Sequence, residues 1–200
     1  MSFIPLPPGA SLGPATERSD AARNRERLMA AARELIGECG AEGLTMDRLA
    51  GRAGVGKGTV FRRFGSRAGL MLTLLNESEA EFQDRFMFGP PPLGPGAPAV
   101  ARLVAFGEER IRYVMEHGDL LLAAEASHHR LDVPPAVLWQ RHLEVLLQQE
   151  GIHEETWLLA GSLAATLDPE RLLHTVRAHG VSPERLAASW RQLVTRLVRR

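Results

Sequence analysis

Apolar residues in this chain return every three or four positions and nowhere at every second one, a periodicity that restricts the fold to packed helices. Leu28, Ala32, Leu35, Ile36 and Cys39 form one stripe of an amphipathic helix that should end at Gly40 or Gly43. Thr45 is a good N-cap with Asp47 in the first turn behind it, so a short helix follows that buries Met46, Leu49, Ala50 and Ala53 and stops at Gly54. A third helix, from about Lys57 to Phe64, has Val60 and Phe64 as its inward pair. Ser66 can cap a longer fourth helix with Leu70, Met71, Leu74, Leu75, Phe82 and Phe86 in register, and the Gly- and Pro-rich residues 88–98 read as a loop.

The helical period continues to the C-terminus. Val100, Leu103, Val104, Gly107, Ile111, Val114 and Met115 define one helix, residues 120–129 a shorter one, and Pro134 opens another through Gln149. Residues 154–167 are apolar nearly all round, so that helix must be covered on more than one side, and Ala160, Gly161, Ala164 and Ala165 permit close approach of a neighbour. Asp168 and Pro169 start a segment ending at Gly180. Ser182 and Pro183 start the last helix, with Leu186, Trp190, Leu193, Val194 and Leu197 in register. The fold class is all-α.

Composition narrows the function. With 200 residues and 44% apolar side chains, the chain can bury one sizeable core and a smaller one. Its 24 basic and 24 acidic residues cancel, but residues 16–69 hold 11 basic against 7 acidic ones while the remainder holds 13 against 17. The basic part is thus the N-terminal third, the asymmetry expected where one end meets a phosphate backbone. No apolar run is long enough for a membrane span, and residues 1–15 lack the basic start and apolar stretch of a signal peptide, so a cytoplasmic location is expected. Cys39 is the single cysteine, which rules out an internal disulfide and suits a small buried residue better than a nucleophile. Phosphate loops, GxSxG, HExxH and CxxC are all missing, so no enzyme is expected.

Two short helices joined by a tight Gly-containing turn, the second basic on the face opposite its apolar pair, form the sequence pattern of a helix-turn-helix. Val60 and Phe64 must face inward, which leaves Lys57, Thr59, Arg62 and Arg63 pointing away from the core toward phosphates and base edges, with Gly58 leaving room for close approach. Periodicity alone describes an ordinary helical hairpin with a solvated charged face equally well. The residues decide between them: the segment LTMDRLAGRAGVGKGTVFRRFGSRAGL resembles the DNA-binding signature of the TetR family of transcriptional regulators, through Ala53, Gly54, Val55, Lys57, Gly58, Thr59, Val60, Phe61, Phe64, Arg67 and Leu70. The resemblance, confined to residues 21–75, implies that Thr59, Phe61 and Arg63 contact backbone or bases. It further implies that Lys57 and Arg62 add base or phosphate contacts, that Arg67 holds a phosphate, and that Thr45 and Gly58 lie in the same DNA-facing set. Three positions depart from the pattern: Gly56 lacks the usual capping hydroxyl, Phe61 replaces the commoner Tyr, and Gly69 stands where an acidic residue is frequent.

The implied organisation is a flexible tail at 1–16, a three-helix DNA-binding domain at 17–66, and a helical ligand-binding and dimerisation domain at 67–200 entered by the long fourth helix, which would act as a lever. The corresponding function is a bacterial regulator, a repressor released from a palindromic double-stranded DNA operator by a small-molecule effector. The alternative is a DNA-binding regulator or architectural protein without an effector. In the family, the last two long helices pair into a homodimer. Here that seam would involve Leu158, Gly161, Ala165, Trp190, Leu193 and Leu197, with monomer core as the lesser alternative, since two half-sites on palindromic DNA favour a dimer. For the effector, Phe106, Arg110, Tyr113 and His117 form a second stripe beside the apolar one on their helix. Glu125 and His128 interrupt an apolar segment, and Trp139 and His142 share a face of the next helix. These residues would line a pocket for an aromatic or amphipathic compound; the plainer reading is solvated helix edges and satisfied core histidines. Glu125 and His128 at i, i+3 can share a metal ion, yet seven histidines without a Cys/His spacing motif are no metal site, so neither metal nor cofactor is expected.

Overall fold

A computed structural model describes residues 14–125 and 134–199, with side chains at 22–118, 120–122 and 136–199. Among these residues every regular element is a helix: α1 (Pro14–Gly43), α2 (Met46–Ala53), α3 (Lys57–Phe64), α4 (Arg67–Phe88), α5 (Ala99–Glu125), α6 (Pro134–Gln149), α7 (Thr156–Thr166), α8 (Pro169–His179) and α9 (Pro183–Val198). None of the described helices is long and apolar enough to cross a membrane. The chain divides into two compact units, Met1–Arg67 and Ala68–Arg200.

In the first unit α1 starts at Pro14, so residues 14–16 are helical and not part of a tail; the first turn of a helix tolerates proline because the N–H there has no intrahelical partner. Residues 1–13 lie outside the described residues. Gly40 interrupts α1 at φ 71°, a left-handed conformation that glycine adopts without a Cβ penalty, and the last turn closes at Gly43. Leu28, Ala32 and Leu35 from α1, Met46, Leu49, Ala50 and Ala53 from α2, and Val60 and Phe64 from α3 are buried, as their spacing requires. The Thr45 hydroxyl accepts the Arg48 amide at 3.2 Å, and left-handed Gly54 ends α2 by donating to the carbonyls of Ala50 and Gly51.

In the second unit α6, α8 and α9 pack against α5, and α7 packs against α6. Two helices expected at 100–115 and 120–129 are a single α5 that runs through Gly118. The reason is tertiary: a Cβ on Gly118 would lie 2.7 Å from Leu173 Cδ2 of α8, so glycine here admits a neighbour and breaks nothing. Gly107 does the same for α9, where a Cβ would stand 2.0 Å from Cε2 of Trp190. The Trp190 indole N–H donates to the Leu103 and Val104 carbonyls at 3.0 and 3.1 Å. At 3% exposure Trp190 is core of its own chain and not seam, which corrects the expectation made for it. Gly161 is half-buried, and the atom nearest its missing Cβ is Gln140 Nε2 of α6 at 3.2 Å. Leu197 packs partly buried on the same core. Leu158, Ala165 and Leu193 do reach the surface, as does Trp157. Asp168 and Ser182 cap α8 and α9 by accepting the amides of Arg171 and Arg185, each with proline in the first turn.

Candidate nucleic-acid interface and a buried polar cluster

α3 is only eight residues long, and its inner face is fixed by Val60 and Phe64. The other side therefore turns outward: Lys57, Gly58, Phe61, Arg62 and Arg63 are exposed and Thr59 is half-buried. Gly56 precedes the helix without a side-chain cap, so the helix start keeps its amides uncovered by a hydroxyl, as that departure from the pattern implied. Lys57 Nζ sits 2.7 Å from Asp47 Oδ1 of α2 and 5.9 Å from the centroid of the Phe61 ring. Both members of that ion pair are mostly in water, where such a pair is weak and gives way readily to a phosphate. Phe61, 41% exposed, offers an apolar ring on the same outer face. The arrangement presents cations, a ring and a small gap at Gly58 along one short helix, which suits a polyanion with groove edges.

Two residues assigned to this face also hold the domain together. The Thr45 hydroxyl is engaged as the α2 cap. Arg67, half-buried, donates from Nε to the Leu44 carbonyl at 2.9 Å and from Nη2 to the Ala41 carbonyl at 2.6 Å, which ties the start of α4 to the junction of α1 and α2. Two of its donors thus serve the Ala41 carbonyl in the last turn of α1, which also accepts the Leu44 amide at 3.3 Å, and the Leu44 carbonyl just beyond that helix. Arg52 is similarly committed, pairing with Glu38 at 2.6 Å and Glu34 at 3.3 Å, and it holds the Glu38 carboxyl below its ordinary range.

The second unit carries the opposite kind of site. Glu79 of α4 and Arg110 of α5 are 9% and 2% exposed at their side chains and meet at 3.2 Å. The Arg110 guanidinium stacks 3.9 Å from the Trp139 ring centroid and 4.8 Å from that of Tyr113. The Tyr113 hydroxyl is 2.8 Å from Ser78 Oγ. Phe82 contacts Phe86, Phe106, Tyr113 and Trp139 with centroids 5.3 to 6.3 Å apart, and His142 lies 4.6 Å from Phe86. The Tyr113 hydroxyl also acts on the Glu79 carboxyl, yet among the described residues three buried atoms of this cluster have no hydrogen-bond partner: Glu79 Oε2, Arg110 Nε and His142 Nε2. Burial sets the charge states. It raises the Glu79 carboxyl against the opposing pull of Arg110, lowers Arg110, raises the Tyr113 hydroxyl, and together with the charge of Arg102 pushes His142 down to about 4.

Phe106, Arg110, Tyr113, Trp139 and His142, expected to line one pocket, are thus brought together, with His117 half-buried 4.6 Å from Tyr113. His128 and the side chain of Glu125 lie outside the described residues. Glu79 and Ser78 went unnoticed. A signal for Glu79 existed: Leu75, Glu79, Phe82 and Phe86 follow one another at i, i+4, i+7 and i+11, which places a carboxylate in an apolar stripe. Among the described residues no three His, Cys, Asp or Glu side chains gather as metal ligands.

Residues 28–74 match the family model for bacterial regulatory proteins of the tetR family. An HTH-type transcriptional regulator of Staphylococcus aureus is 33% identical over 69 residues, 34% of this chain and 37% of that protein. The chain therefore matches about a third of the length of this curated relative. Solved structures extend the likeness in fold. A TetR-like transcriptional regulator from Rhodococcus sp. RHA1 superposes with a TM-score of 0.59 at 16% identity, covering 86% of this chain and 94% of that one. A protein whose structure was described as the molecular basis for control of antibiotic production by bacterial hormones gives 0.62 at 20% identity, with 86% and 96% covered.

Proposed function

We propose that this chain, whose residues 28–74 match the family model for bacterial regulatory proteins of the tetR family, is a member of that family and a transcriptional regulator which binds an inverted repeat in double-stranded DNA. The observation that carries this is α3: eight residues with Val60 and Phe64 inward and Lys57, Thr59, Phe61, Arg62 and Arg63 outward. The finer reading is a dimeric repressor released by a small molecule. The effector part is supported by the incompletely paired polar cluster among Glu79, Arg110 and His142. The dimer part is supported by Leu158 on α7 and Leu193 on α9, which stay 47% and 41% exposed, and a palindromic site calls for two copies. An effector bound more tightly to the form with low DNA affinity releases DNA by its differential affinity for the two forms, and DNA weakens the effector in turn.

Footprinting on selected genomic fragments tests the reading. The protein should protect two half-sites about one or two helical turns apart, with affinity falling steeply as salt rises. The triple variant Arg62→Ala, Arg63→Ala, Lys57→Ala should lose most of that affinity and flatten the salt slope by about 3. Undiminished binding by a folded triple variant overturns the assignment of α3. Leu158→Glu with Leu193→Glu should give folded monomer in sedimentation, and an intact dimer would move the seam elsewhere.

A further inference from the structure

We infer that the interior between α4, α5 and α6 is built for an uncharged, largely apolar small molecule with one polar head that both accepts and donates a hydrogen bond. This rests on the effector-responsive reading above and specifies the chemistry of its effector. One unpaired buried atom comes from each of the three helices, Glu79 Oε2, Arg110 Nε and His142 Nε2. Folded chains leave few buried polar atoms unpaired, and three around a single group of rings call for a partner that none of the described residues supplies.

The surroundings define that partner. Phe82, Phe86, Phe106 and Trp139 supply an aromatic shell, so most of the molecule must be apolar. Glu79 and Arg110 already meet at 3.2 Å and cancel each other's charge, while buried Glu109 next along α5 is neutralised separately by Arg85 and Arg112. The other charges that act on the cluster, Asp168 on Arg110 and Arg102 on His142, are opposite in sign, so an added ion tips a balanced set in a low-dielectric shell, whereas a neutral head leaves the balance intact. A pure hydrocarbon would leave all three polar atoms orphaned. The Arg110 guanidinium is covered by Trp139, and what remains unpaired is the donor at Nε. Because its side chain is joined to that of Glu79, one head that accepts from Nε and donates to Oε2 serves both. A primary amide or a comparable carbonyl and N–H or O–H pair fits, with His142 Nε2 open to a second polar atom. A divalent cation does not fit, since the guanidinium repels it.

Isothermal titration of the full chain with four naphthalene probes separates the cases. The probes are 2-naphthamide, 2-naphthoate, 2-naphthylmethylammonium and naphthalene itself. The amide should bind saturably, one per chain and about tenfold more tightly than each of the others. In Glu79→Gln, which leaves Arg110 uncompensated, the naphthoate should gain and overtake the amide. A role limited to structure would not reverse that preference. Absence of saturable binding by all four, or a naphthoate that equals the amide in the wild-type chain, overturns the inference even if the variant does not fold. So does an unchanged preference in a folded Glu79→Gln. Failures of the two readings are distinguishable: amide binding with the expected ranking but no effect on operator affinity overturns the effector reading and leaves this site standing. Operator release by a charged compound, undiminished in Glu79→Gln, overturns this site and leaves the effector reading standing.

Discussion

The two units use charge in opposite ways. On α3 and its neighbours the cations stand in water, paired at most with a partner that is itself solvated, as Lys57 is with Asp47. Around Arg110 the cation is sealed among rings with the Glu79 carboxylate as its ion-pair partner. A solvated cation adds almost nothing to stability and can be handed to a phosphate at little cost. A buried ion pair has given up its hydration and tolerates only a partner that restores what was lost. The first arrangement suits a ligand known only by its repeating negative charge, the second a ligand that must fit.

The sharpest way to break this contrast is to unpair the buried side. Glu79→Ala leaves the Arg110 charge alone in the interior and should destabilise the fold by about 3–5 kcal/mol in urea unfolding, and the double change Glu79→Leu with Arg110→Met should recover much of that. Acid should act on the same region through His142. Below about 6.5 the unfolded chain takes up a proton that the folded chain refuses until about 4, so stability should fall as pH falls through that window, by up to about 1.4 kcal/mol per pH unit. In His142→Leu that slope should disappear from thermal melts taken between those limits. Arg67 lies between the two extremes, a half-buried cation spent on carbonyls. Arg67→Ala should cost about 1–3 kcal/mol of stability and leave the salt slope of DNA binding nearly unchanged. A phosphate contact would give the reverse, a flatter slope with little loss of stability. Smallest is the exposed pair: Asp47→Asn frees Lys57 and removes a negative charge, which should tighten operator binding about two- to fivefold at low salt without moving the melting temperature.

What was legible in the sequence was what is decided locally. Thr45, Gly54, Asp168, Gly180 and Ser182 mark helix ends because a cap is a contact within a few residues. The outward face of α3 was legible for the same reason, since two inward residues on an eight-residue helix fix the rest. The sequence divides α5 into helices at 100–115 and 120–129, whereas Gly118 between them owes its smallness to Leu173, more than fifty residues away. The stripe holding Trp190 leaves seam and core both open, because an apolar stripe records that something covers it and not which chain does so. Arg67 fits a phosphate role by resemblance, while the two carbonyls its donors reach, at Ala41 and Leu44, are more than twenty residues away in sequence. The buried cluster was half seen: the α5 and α6 contributions stood out as polar tips among apolar neighbours, while Glu79 was passed over inside a stripe assumed to be uniform.

The contact of Gly107 with Trp190 bears on how this chain can diverge. A methyl group at 107 would occupy the space of the indole, and a smaller residue at 190 would leave both a void beside Gly107 and the carbonyls of Leu103 and Val104 without their donor. Each change alone is harmful, so descendants that alter either position should carry a compensating change at the other. An alignment of such descendants should show 107 and 190 varying as one character, 83 residues apart in the chain, while the solvated positions of α3 drift with the operators they meet.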